Sequence, residues 1–175
     1  MTPIFPGLRI ESAELRIVRL PLLTPFVIST GTMTEKVFPL LTLRAEGLEG
    51  YGEGVMDTLP DYLEETQAGA LPFLREALLP QIVGRRFASP AELGAVLDPW
   101  RGHRMSKAMV EMAVWDLWTK ALGLPLSAAL GGVRDAVEVG VSLGIADIPT
   151  TLDRVRSAVE GGYRRIQLKI KRGHD

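Results

Sequence analysis

Apolar and polar positions alternate along residues 9–20, with Ile10, Leu15, Ile17 and Val18 as the apolar members, and this pattern predicts a strand. Residues 37–46 and 48–56 read as two further strands, with Gly47 and Gly50 supplying the turn between them. Together they predict a three-stranded antiparallel meander. Between the first two strands lies a hydroxyl-rich segment, Thr24-Pro25-Phe26-Val27-Ile28-Ser29-Thr30-Gly31-Thr32-Met33-Thr34. It reads as a surface loop, or as a mobile lid whose Phe26, Val27 and Ile28 wall a ligand.

The period then changes to that of helices. Residues 61–83 predict a helix interrupted near Pro72, 90–97 a short one opened by Pro90, and 107–122 the strongest of the three. In the last, Asp116 and Lys120 form an i,i+4 pair, and Gly123 and Pro125 mark the end. Its Met and Trp residues cover most of the circumference, as in a helix packed from several sides, so they read as core. Leu130-Gly131-Gly132 breaks the pattern and reads as a linker, placing a domain boundary near residues 125–135. Beyond it, a strand at 137–145, a helix at 151–160 and a strand at 164–171 form a β-α-β unit, implying two parallel strands with a right-handed crossover. Thr150 and Asp153 stand at capping-box-like spacing at the start of that helix.

Each parallel strand carries one apolar face. Val139, Val141 and Leu143 oppose Gly140, Ser142 and Gly144; Ile166, Leu168 and Ile170 oppose Gln167, Lys169 and Lys171. Strands covered by helices on both faces are apolar throughout. A single polar face suits the inside of a closed barrel, whose C-terminal strand ends build the active site. Lys169 and Lys171 sit at such an end. By spacing alone, Lys-x-Lys reads either as two solvated charges or as a pair whose mutual repulsion makes one lysine a base near neutral pH.

Composition narrows the classes. The 175 residues are 46% hydrophobic and 23% charged, an ordinary globular balance. The net charge of −1 gives no electrostatic attraction to nucleic acid or anionic membrane. The absence of cysteine excludes disulfides, thiolate metal sites and a cysteine nucleophile. No basic segment with an apolar run resembles a signal peptide, and no apolar run approaches a membrane span, so a cytoplasmic setting is expected. Neither His103 nor His174 lies near a second histidine or a carboxylate at ligand spacing, so both read as surface or structural.

The stretch Met105-Ser106-Lys107-Ala108-Met109-Val110-Glu111-Met112-Ala113-Val114-Trp115-Asp116-Leu117-Trp118, continued through Leu126 and followed by Leu130-Gly131-Gly132, resembles the enolase superfamily and its muconate-lactonizing subgroup. With Gly52-Glu53-Gly54, Tyr62-Leu63-Glu64-Glu65, Val139-Gly140-Val141-Ser142-Leu143-Gly144 and Gln167-Leu168-Lys169-Ile170-Lys171, it looks like the N-succinylamino-acid racemase / o-succinylbenzoate synthase group. The resemblance implies an α+β capping domain, residues 1–128, followed from 129 to 175 by the first β-α-β unit of a modified TIM barrel. It implies that Lys171 is the acid/base and that Lys169 is its partner on the substrate carboxylate. Ser142 matches a position facing the acyl arm, and residues 22–36 match a specificity loop bringing Phe26 to the substrate. Tyr62 is a further candidate on the cap. The implied chemistry is removal of a proton α to a carboxylate, giving an enediolate stabilised by Mg²⁺ or another divalent metal. N-acyl amino acid racemisation or dehydration to o-succinylbenzoate, a step of menaquinone biosynthesis, then follows. Dipeptide epimerase and muconate cycloisomerase are neighbouring alternatives. The partners implied are a small carboxylate substrate and copies of the same chain. Metal ligands and a second lysine are expected beyond Asp175. Two parallel strands cannot close a barrel of roughly 200 residues or more, so this segment is expected to be inactive alone. A reading of another class is a non-catalytic, oligomerising interaction module. Where relatives usually continue Pro-Gly-Trp-Asp after the lysines, this chain has Arg172-Gly173-His174-Asp175.

Overall fold

The structure, a computed structural model, describes residues 7–173, so His174 lies outside the described residues. They form two compact units. One holds the described residues up to Val18 together with Val37–Gly132; the other holds Arg19–Lys36 and the described residues from Val133 on.

The first unit is α+β. Strands β2 (Ser12–Ile28), β3 (Gly31–Ala45) and β4 (Leu48–Glu53) form one sheet in the order β2-β3-β4, of which β2 up to Val18, β3 from Val37 and all of β4 belong to this unit. β3 and β4 are antiparallel, from Leu40↔Glu53 to Ala45↔Leu48. Their turn is Glu46-Gly47, both at positive φ (52° and 78°), the combination of a two-residue hairpin whose twist matches its strands. Two short strands, β1 (Leu8–Arg9) and β5 (Arg86–Phe87), pair antiparallel beside it.

Gly50 is not a turn residue. A Cβ there would stand 2.3 Å from the Ala113 carbonyl oxygen, and one on Gly52 would stand 1.9 Å from that of Met109. These glycines let β4 lie directly against helix α3 (Arg104–Leu122). The core between them and around them includes Leu41, Leu43, Leu74, Leu78, Met109, Ala113 and Leu117, all with no accessible surface. Across the sheet, Arg44 bonds Glu14 on β2 at 2.9 Å and Glu49 on β4 at 2.8 Å. Arg44, then Arg16, holds the Glu14 carboxyl below the usual range, while the Tyr51 hydroxyl and Arg44 do the same for Glu49.

α3 starts three residues earlier than its apolar period predicts. His103, at φ 49°, gives its N-terminus no side-chain cap. Glu65 does so instead, accepting from the Met105 N–H at 2.8 Å, the Ser106 N–H at 3.0 Å and the Ser106 hydroxyl at 2.5 Å. The Met and Trp positions are not all core: Met109 is buried, but Met112 is 45% exposed. The helix predicted over 61–83 is also corrected. Residues 61–64 are irregular, and α1 (Gln67–Pro72) opens at Thr66 before continuing through a wider π turn, Phe73–Leu78. α2 (Gly94–Leu97) follows a short 3₁₀ turn, and α4 (Leu126–Ala129) follows α3.

In the second unit, β6 (Val141–Leu143) and β7 (Ile166–Leu168) pair in parallel, joined by α5 (Ile148–Glu160). This is a β-α-β unit with one parallel strand pair. The strands are shorter than the sequence pattern predicts, and Val137 and Val139 are exposed. α5 begins three residues early because Asp147, not Thr150, is its cap. The Asp147 carboxylate accepts from the Thr150 N–H at 2.8 Å and hydroxyl at 2.9 Å. At the other end, Tyr163 N–H bonds the Ala158 carbonyl and Gly162 N–H that of Val159, a Schellman closure with Gly162 at φ 86°. Among the described residues, no helix is long and apolar enough to cross a membrane.

Candidate functional site

The site is built on β6, β7 and the outer hairpin Arg19–Lys36, all in the second unit. The reading of 22–36 as a loop or free lid is corrected: β2 and β3 continue through it, leaving Ser29-Thr30 as the turn. Its hydroxyl-rich composition read as a loop, but β2 is an edge strand, which also tolerates Pro21 and Pro25, residues without an N–H. Phe26, Val27 and Ile28 are half-buried.

The β2 arm of this hairpin, just before the turn, is tied to the end of β6. Ile145 N–H donates to the Val27 carbonyl at 2.9 Å, and Gly144 lies against Phe26 and Val27. Ser142 pairs with Gln167 across β6 and β7. Lys169 N–H donates to the Leu143 carbonyl at 3.0 Å, extending the parallel ladder one residue beyond β7. Strand alternation therefore gives Ser142, Gly144, Gln167 and Lys169 one common face. Lys169 is half-buried and Ser142 exposed. Lys171 is exposed and lies past the last ladder hydrogen bond, so alternation does not fix its direction.

Tyr62 belongs to the first unit. It lies on the irregular segment before α1, not on a helix, and is 75% exposed. His103 is structural in its surroundings, stacked on Phe73 with ring centroids 4.1 Å apart. Among the described residues, no group of three or more His, Cys, Asp or Glu side chains is arranged to hold a metal ion. These residues do not fit the implied divalent cation.

Sequence reasoning missed Glu65 and the seat of the hairpin's β2 arm. The signal for Glu65 was indirect: no Ser, Thr, Asp or Asn stands immediately before α3, so its first N–H groups require an acceptor from elsewhere. The signal for the seat was Gly144, a strand-end glycine with no turn to account for it.

Comparison with known proteins adds a lineage. Residues 12–131 match the family described as Mandelate racemase / muconate lactonizing enzyme, N-terminal domain. The chain is 56% identical over 169 residues to an N-succinylamino acid racemase of Thermus thermophilus, covering 96% of this chain and 46% of that protein. It is 40% identical over 170 residues to an o-succinylbenzoate synthase of Enterococcus faecalis, with 96% and 46% covered. The crystal structure of a muconate lactonizing enzyme from Pseudomonas fluorescens, complexed with muconolactone, superposes with a TM-score of 0.88 at 30% identity. That match covers 95% of this chain and 46% of the other. The chain thus spans about half the length of the curated relatives it matches.

Proposed function

The chain belongs to the mandelate racemase / muconate lactonizing enzyme family through its N-terminal domain, and on that premise we propose that, in a protein of its relatives' length, it supports abstraction of a proton α to a carboxylate. The substrates are N-acyl amino acids, N-succinyl ones above all, which are racemised, and a related succinyl compound, which is dehydrated to o-succinylbenzoate. Residues 1–128 serve as the capping domain and 129–175 begin the barrel.

The observation that carries this reading is the continued ladder between Leu143 and Lys169, which gives a cation and Ser142 a common face at the C-terminal end of two parallel strands. Lys171, two residues further, takes the α-proton as general base, and for racemisation a second base on the opposite face of the enediolate returns a proton. Lys169 offers its ammonium to the substrate carboxylate. Ser142 hydrogen-bonds the acyl arm, and Phe26 shields that arm from water with an apolar wall. A proton α to a carboxylate is weakly acidic because its loss gives a dianionic enediolate. A divalent cation such as Mg²⁺, where bound, supplies countercharge. No described residue of this segment is assigned to holding it. We assign its ligands, and the second base needed for racemisation, to the half of the relatives that this chain does not span.

The test is an assay of the protein at its relatives' length on N-succinyl amino acids, dipeptides, cis,cis-muconate and the precursor of o-succinylbenzoate, with Mg²⁺ and with chelator. Racemisation of N-succinyl amino acids together with dehydration is expected. Turnover of dipeptides or muconate without N-acyl amino acids would overturn the assignment.

A further inference from the structure

A side chain on Gly144 would crowd the outer hairpin. Its Cβ would stand 3.1 Å from both the backbone nitrogen and the carbonyl oxygen of Val27, and 3.3 Å from Phe26 Cδ2. Those separations are tighter than ordinary carbon contacts, and two of the three neighbours are backbone atoms that cannot swing aside. The φ of Gly144 is not positive, so the local conformation does not demand glycine; the space does. The same Val27 carbonyl accepts the Ile145 N–H at 2.9 Å. One residue's backbone is thus held by a hydrogen bond from Ile145 and approached closely by Gly144. Because the Cβ direction of Gly144 is that of the Ser142 face, the β2 arm resting on it borders the face that also carries Lys169. Elsewhere on the hairpin, Gly31 has nothing within 4 Å of its Cβ position.

We propose that Gly144 is the seat of the hairpin's β2 arm and a positioning residue for acyl-arm specificity: its missing side chain lets Phe26 and Val27 close onto the Ser142 face and sets the depth of the pocket there. The hairpin acts as a docked wall whose height is fixed by the backbone of β6, not as a free flap. The specificity part rests on the function proposed above; the docking part does not.

Two measurements test it. In the 175-residue chain, amide hydrogen exchange is read at Ile145. Gly144→Val is expected to speed that exchange by about tenfold or more, because displacing Val27 removes the acceptor, while Gly31→Ala leaves it as in the parent. Unaltered Ile145 exchange in a folded Gly144→Val chain would overturn the docking. In the protein at its relatives' length, Gly144→Ala and Gly144→Val are expected to raise KM for N-succinyl substrates in that order, Val by about fivefold or more. They should raise it less for N-acetyl substrates, and lower kcat less than they raise KM. The double variant Gly144→Val/Phe26→Ala should cost less than the sum of the two single changes, because both act on the same wall. An equal loss on long and short acyl arms, with additive effects, would mean that Gly144 only supports the strand and would overturn its role in specificity. Absence of racemase activity in the parent would overturn the proposed function and leave the docking to be decided by Ile145 exchange.

Discussion

The two units use the same kinds of local signal and reach opposite states of burial. The first buries a continuous core in which Leu41, Leu43, Leu74, Leu78, Met109 and Leu117 have no accessible surface. In the second, among the described residues, the buried apolar side chains are Ile145 and Ala158, while Val137, Val139, Ile148, Leu152 and Ile170 are exposed. Their main helices differ in the same sense. α3 is capped by Glu65, which lies 41 positions from Ser106, so its start depends on tertiary structure. α5 is capped at both ends by its own neighbours, Asp147 and Gly162. In this chain, which spans about half the length of its relatives, burial holds the first unit, while hydrogen bonds between neighbours in sequence and the ladder between two strands hold the second.

The sharpest way to break this contrast is to remove matched apolar groups. Leu43→Ala is expected to cost about 3 kcal/mol, and Ile170→Ala less than about 0.5 kcal/mol, in urea unfolding of this chain. Equal costs would remove the contrast. A smaller effect is expected from Glu65→Ala, which leaves the first N–H groups of α3 without their acceptor and should cost about 2 kcal/mol, with faster amide exchange at Met105 and Ser106. No change at those amides would show that the remote cap is dispensable.

The smallest effect is expected at Asp147. The Thr150 N–H, then its hydroxyl, holds this carboxyl below the ordinary aspartate range. A depressed folded-state value means that the stabilisation is present above the unfolded value and is lost as pH falls through the folded one. The Thr150 amide should therefore lose protection at acid pH in the parent. Asp147→Asn, which keeps an acceptor without titrating, should flatten that profile, and Asp147→Ala should lower protection at every pH. A parent profile as flat as that of Asp147→Asn would refute the cap.

The contrast also explains what could be read from sequence. The alternation at 37–46 and 48–56 located β3 and β4, since one face of each meets a core. Gly50 was misread as a turn because a glycine required by the approach of α3 looks the same in sequence as one required by positive φ. The hairpin at 22–36 was hidden by its hydroxyl-rich composition, and an edge strand also tolerates its Pro25. The start of α5 was displaced because Thr150 and Asp147 are both good caps and only geometry selects between them. In the site, Ser142, Gln167 and Lys169 follow from strand alternation. The seat at Gly144 and the cap at Glu65 do not, because each joins segments distant in sequence.

The central claim is that Lys171 moves the substrate's α-proton. It is tested most directly by incubating an N-succinyl amino acid in D₂O with the protein at its relatives' length and following deuterium at the α-carbon. With each enantiomer supplied separately, the parent is expected to incorporate deuterium into both, and a folded Lys171→Ala variant to lose the exchange of one enantiomer by about a thousandfold, the usual scale of a general base. Incorporation into both enantiomers at the parent rate by Lys171→Ala would contradict the account.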